Sequence, residues 1–64
     1  MTFDEATQLR PGDRIVLDFW DRDRQRHLPT RMHVRQIEVY GTESVHVFPA
    51  EITYSVEHNL VEKA

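Results

Sequence analysis

The sequence predicts a mainly β fold: a small barrel of four to five short strands preceded by a short helix. Three observations point there. Short apolar stretches alternate with a period of two, the pattern of half-buried strands. Turn-forming residues, "RPGD" at 10–13 and "GTE" at 41–43, separate those stretches. One stretch, "MHVRQIEVY" at 32–40, changes parity midway, with Met32 and Val34 in one phase and Ile37 and Val39 in the other. A strand changes phase only where it bulges or bends sharply, and Arg35–Gln36 is the place. One strand bent in its middle and serving two sheets is how a small barrel turns a corner.

The 64 residues make one domain, 1–64. A chain this short buries only about 60% of the surface its unfolded form exposes. Small domains offset that with disulfides, a metal or self-association. The chain has no cysteine, which excludes disulfides and thiolate metal sites. A well-packed core or a partner subunit remains.

"TFDE" at 2–5 fits a capping box, with Thr2 accepting from the backbone near Glu5 and Glu5 reaching back. The helix that follows, about 3–9, carries Phe3, Ala6 and Leu9 on one side. It is too short to hold alone and must dock. Pro11 and Gly12 then suit successive corners of a type II turn. "RIVLDFW" at 14–20 is the first strand, with Ile15, Leu17 and Phe19 inward and Val16, Asp18 and Trp20 outward. Residues 21–31 read as a long connection, with Pro29 at or just before the second strand, 31–40. A three-residue loop containing Gly41 pairs Tyr40 with Ser44, Val39 with Val45 and Ile37 with Val47. That register alone puts all four apolar residues of the last two pairs on one side. It leaves Glu38 opposite His46 and Gln36 opposite Phe48. Strand 44–48 follows, then "PAEI" as one helical turn, a short strand at 52–57, and a polar tail at 58–64.

"LRPGDRIVL", where an apolar residue and a Gly-Asp turn precede the first strand, resembles the start of many SH3-like small β-barrels. The order of short helix, Pro-Gly-Asp turn and four or five short strands with one bent in the middle resembles them too, over most of the chain. Sm-like barrels, which also begin with a helix and continue with bent strands, are the near alternative. They carry Gly and Asp positions in the second strand that this chain lacks. "SVHVFP" at 44–49 is similar to the Ser-Val-Gln-Ile-Tyr-Pro segment of type II dihydrofolate reductases, themselves SH3-like tetramers. His46 stands at the glutamine and Phe48 at the tyrosine, and the likeness extends to the barrel, not to reductase activity. The resemblances imply a fold and leave activity open.

The net charge of −3 hides a segregation. Residues 1–21 carry five acids against Arg10 and Arg14; residues 36–64 carry five glutamates against Lys63. Between them, Arg22, Arg24, Arg26, Arg31 and Arg35 face only Asp23. A uniformly basic nucleic-acid binder would look different.

Several chemistries are set aside. Ser44 and Ser55 sit in no nucleophile elbow, and the two glycines are used by turns, which leaves none for a phosphate-binding loop. "DRDRQR" at 21–26 starts like a calcium loop but has Arg26 where glycine must turn and Met32 where a bidentate glutamate belongs. His27, His33, His46 and His58 show no ligand spacing. The expectation is a non-enzyme with no metal and no cofactor. "MTFDEATQL" has neither a basic nor an apolar signal region, and no apolar run approaches the roughly 20 residues that span a bilayer. A cytoplasmic protein without a membrane partner is expected.

The candidate surface is Trp20 with Arg22, Arg24, Arg26, Arg31 and Arg35. Arg and Trp are enriched at protein interfaces while Lys is depleted. The expected partner is another protein or a second copy of the chain. The alternative is RNA or single-stranded nucleic acid, with the arginines on phosphates and Trp20 or His27 on a base. Asp18, Asp21 and Asp23 interleave with the arginines and lower the local potential. Trp20 itself is expected to be covered by the loop or the helix; exposed, it would mark a binding surface.

Overall fold

Thr2 fixes where the chain begins to coil. In the computed structural model, which describes residues 1–64, its hydroxyl accepts from the Glu5 N–H at 3.2 Å while the Glu5 carboxylate accepts from the Thr2 N–H at 2.9 Å. This reciprocal cap opens α1, Phe3–Thr7. The helix ends two residues earlier than its apolar spacing suggests. Ala6 and Leu9 are still buried, with Phe3 packed beside them.

At the turn, Gly12 takes a φ of +94° and Asp13 N–H donates to Arg10 C=O at 3.0 Å. β1, Arg14–Asp21, then pairs antiparallel with β2, Arg26–Tyr40. β2 pairs with β3, Ser44–Pro49, and β3 with the short β4, Val56–Glu57. A 3-10 turn, His58–Leu60, leads into β5, Val61–Lys63, which returns to pair with β1. The result is one antiparallel sheet in the order β4-β3-β2-β1-β5, curled into a half-barrel.

The bend falls where parity requires it. Val34 pairs with Pro49 and Gln36 with Phe48, leaving Arg35 as the extra residue. Beyond it the expected register holds: Ile37–Val47, Glu38–His46, Val39–Val45 and Tyr40–Ser44. Both phases of β2 can therefore reach one core, formed by Ile15, Leu17, Met32, Val34, Val45 and Val47 with Val61 from β5.

Five expectations need correction. The segment 21–31 is not a long loop, because β2 starts at Arg26 and only residues 22–25 form the turn, with Gln25 at a φ of +52°. Pro29 lies inside β2 opposite Asp18. Ala64 N–H donates to Arg14 C=O on the β5 side of β1, so alternation sends the Asp18 backbone to that side too. Pro29 therefore turns its missing donor away from β1, where β2 has no neighbour because β3 pairs only from Val34 onward. The strand expected at 52–57 shrinks to Val56–Glu57, and the turn expected at 49–52 begins only after Pro49 has closed β3. The expected tail at 58–64 is a 3-10 turn and a strand, with Val61 fully buried. Val39 is 50% exposed although Val45 opposite is buried. α1 and the 3-10 turn pack on β3 and leave the end of β2 uncovered.

His58 ties this cover down. Its Nδ1 accepts the Val45 N–H at 3.2 Å, beyond the end of β4, and its ring meets Phe3 edge-on at 6.2 Å. The Met1 amino nitrogen donates to the carbonyls of His58 and Val61.

Val61 thus closes the core from the last strand. Val61→Ala is expected to cost about 1–3 kcal/mol, which in a domain of this size lowers the midpoint of thermal unfolding by roughly 5–20 °C. Leu60→Ala, at a 65% exposed neighbour, should change it by less than about 0.5 kcal/mol. Equal, small effects in calorimetry would mean that the last strand does not hold.

Candidate functional site

β1 is longer than the strand beside it. β5 pairs with Ile15–Leu17 only, so Asp18–Asp21 have no strand on that side. A groove of about 880 Å³ follows this open edge. Inward-facing Leu17 and Phe19 and outward-facing Asp18 and Trp20 line it along β1, and His27 and Pro29, the cross-strand partners of Trp20 and Asp18, extend it over the outward face of the hairpin. Tyr54 to Glu57 and Leu60 form the opposite wall.

Trp20 is 49% exposed, contrary to the expected cover. Its indole meets the ring of His27, its cross-strand partner, edge-on at 5.3 Å. Of the five large apolar residues most exposed to solvent, Trp20, Tyr54 and Leu60 line this one groove, while Val39 and Tyr40 sit at the far end of β2. The charged side chains of the lining are Asp18, Glu57 and Glu62; no Lys or Arg is among them.

The arginines do not gather there. Arg22 and Arg24 occupy the turn after β1, and Arg26 opens β2 opposite Asp21. Asp21 organises this turn: its carboxylate accepts the N–H of Asp23 at 2.9 Å and of Arg24 at 3.2 Å, and pairs with the Arg24 guanidinium at 3.1 Å. Arg31 lies opposite Val16 and lines a separate hollow of about 370 Å³ with Arg14 and His33. Arg35, the bulged residue, places its guanidinium carbon 5.8 Å above the Phe48 ring, a cation–π contact. Three separate places thus hold the five cations.

A second polar group forms across β2, β3 and β4. The His46 ring lies 4.7 Å from that of Tyr40, its Nδ1 is 3.4 Å from Ser55 Oγ, and its Nε2 is 3.9 Å from Glu57. Tyr40 donates to Glu38, and that bond and the carboxylate charge push its phenol up. The pairing of Glu38 with His46 is legible from the register; Ser55 and Glu57 join only through the turn at 50–55. Both histidine contacts are long for hydrogen bonds, so the group is a cross-strand network rather than a primed nucleophile. No three His, Asp or Glu side chains converge as metal ligands would, and no helix is long and apolar enough to cross a membrane.

Comparison with protein-family models, with curated proteins and with solved structures gives no match.

Two exposed carboxylates clamp the edges of the fold. Glu51 accepts the His33 N–H at 2.9 Å and meets its Nδ1 at 2.7 Å. The backbone bond first, and the ring second, hold its carboxyl below the ordinary 4.5. Glu5 is held below the same value by the Thr2 N–H and then its hydroxyl. Carboxyls lowered on folding add stability that is fully present above the unfolded value and is lost as pH falls through the folded one. The unfolding midpoint should therefore drop as pH falls below the ordinary carboxyl value of 4.5. The Glu5→Gln, Glu51→Gln double variant should show a flatter acid limb, and superimposable limbs would contradict the assignment.

Proposed function

We propose that this protein is a non-enzymatic binding module whose groove along the free edge of β1 docks a segment of another protein. The observation that carries the reading is the clustering of Trp20, Tyr54 and Leu60, each about half exposed or more, around one hollow. Aromatic residues with an apolar body and a polar tip anchor protein contacts. Small soluble chains rarely expose such groups together without a use for them. Arg22, Arg24 and Arg26 stand on the hairpin tip next to Trp20 and form a polar rim. Arg31 and Arg35 lie outside that rim, which narrows the surface drawn from the sequence. We read the curled sheet as an SH3-like barrel left open at this groove, supported by the Pro-Gly-Asp turn and the bent β2.

The same placement counts against RNA or single-stranded nucleic acid as the partner. A phosphate chain needs cations along one track, and here they lie in three places, one paired with Asp21 and one over Phe48. The groove that would stack bases carries carboxylates instead.

Selection of a random peptide library against the immobilised protein tests the reading. Peptides enriched on the wild type should lose at least about tenfold in affinity for Trp20→Ala, as expected when an interface anchor is truncated. Trp20 lies on the outward face, so the variant keeps its core. Equal binding of the enriched peptides to both proteins would overturn the proposal. So would tight, steeply salt-dependent binding of mixed oligonucleotides without any groove-dependent peptide.

A further inference from the structure

We infer that the occupant of the groove is an extended segment of a partner protein, with Lys or Arg at alternate positions, that adds as a strand to the free edge of β1. This rests on the groove being a docking site and goes on to name its ligand.

Three observations carry it. The first is the edge itself. Asp18–Asp21 lack a strand on the β5 side, and alternation from Arg14, whose C=O accepts Ala64 N–H there, points the Trp20 N–H and C=O into that space. Four residues of strand span about 13 Å, enough for a short peptide to exchange backbone hydrogen bonds. The second is the contrast with the other open edge of the same hairpin. There β2 presents Pro29, which offers no donor, flanked by Arg26 and Arg31. A proline blocks an edge because it offers no donor; charge does not separate the two edges, since the free part of β1 carries Asp18 and Asp21. The β1 edge carries no proline.

The third observation is charge and its sidedness. Glu62 pairs with Val16, so it shares the outward face with Asp18 and Trp20. Glu57 pairs with His46, on the outward face of β4. The inward side of the groove is apolar, with Leu17, Phe19 and Val56. A strand laid along β1 sends alternate side chains to these two sides. One set meets carboxylates and the Trp20 indole, which suits Lys or Arg through ion pairs and cation–π contact. The other set meets apolar side chains, which suits Val, Ile or Leu. The added strand would lie in the gap between β1 and the 54–57 segment, partly closing the half-barrel.

Trp20 is the only tryptophan, so its fluorescence reads the site directly. The probe is a capped peptide of roughly seven residues alternating lysine and valine, long enough to cover the edge. Saturable change in Trp20 emission is expected. Methylating the backbone nitrogens that would face β1 should weaken binding at least about tenfold, the loss of two or more backbone hydrogen bonds. Methylating the intervening nitrogens should not. The Asp18→Asn, Glu62→Gln double variant, both changes at exposed positions, should weaken it about three- to tenfold, and a glutamate–valine peptide should not bind.

Equal binding of the two methylated forms would overturn strand addition. Equal binding of the acidic peptide, or failure of the lysine–valine peptide while library-selected peptides still need Trp20, would overturn the basic ligand and leave the groove as a docking site. Failure of both the probe and the library would overturn the ligand and the groove together. A concentration-dependent dimer in light scattering, formed without peptide and lost in Trp20→Ala, would assign the edge to a second copy and overturn the inference.

Discussion

Val34 is the residue on which the rest of the structure depends. Its N–H donates to Asp13 C=O at 2.9 Å and its C=O accepts Gly12 N–H at 2.8 Å. One backbone unit of β2 is thereby tied to the turn that launches β1. The next residue, Arg35, is the bulge. Upstream, Met32 and Val34 face the core; downstream, Ile37 does so in the opposite phase. Without the extra residue, one half of β2 would turn its apolar side to water. Gly12 makes the clasp possible, because a φ of +94° is strained for any residue with a Cβ.

The site follows from how that bent strand distributes its neighbours. The upstream half of β2 carries β1, and the downstream half carries β3. The β1–β2 hairpin therefore runs past the core with little on either flank, in a molecule measuring 37 × 21 × 20 Å. β5 is three residues long and covers only the start of β1. The groove is what remains uncovered; Tyr54 reaches it from the segment just before β4, and Leu60 from the turn between β4 and β5. Fold and site are thus one geometric outcome: a short closing strand against a long first strand.

Local pattern carried far in some places and stopped in others for physical reasons. The β2–β3 register was legible because strict period-two parity on both strands admits a single alignment. The bend was legible because parity itself switches. The start of β2 was not, since "RHLPTR" has few apolar residues and Pro29 reads as a break. Its tolerance depends on which flank lacks a neighbour, a property of the sheet and not of the segment. Val61 was missed because one buried residue in a three-residue strand shows no period. Parity placed Trp20 on the outward face; it is exposed because the expected loop is mostly strand and α1 packs on β3 instead, which no local pattern encodes. The five arginines looked like one surface because they are close in sequence, yet the hairpin turn, the β1–β2 face and the bulge carry them apart.

Amide hydrogen exchange combined with cross-strand nuclear Overhauser effects tests the central claim, the clasped bulge at Val34–Arg35, most directly. The account predicts that the Gly12 and Val34 amides exchange together among the slow set. It also predicts contacts between Ile37 and Val47 and between Ile15 and Met32 in the same molecule. A Val34 amide exchanging as fast as a surface loop, with Gln36 in place of Ile37 opposite Val47, would contradict it.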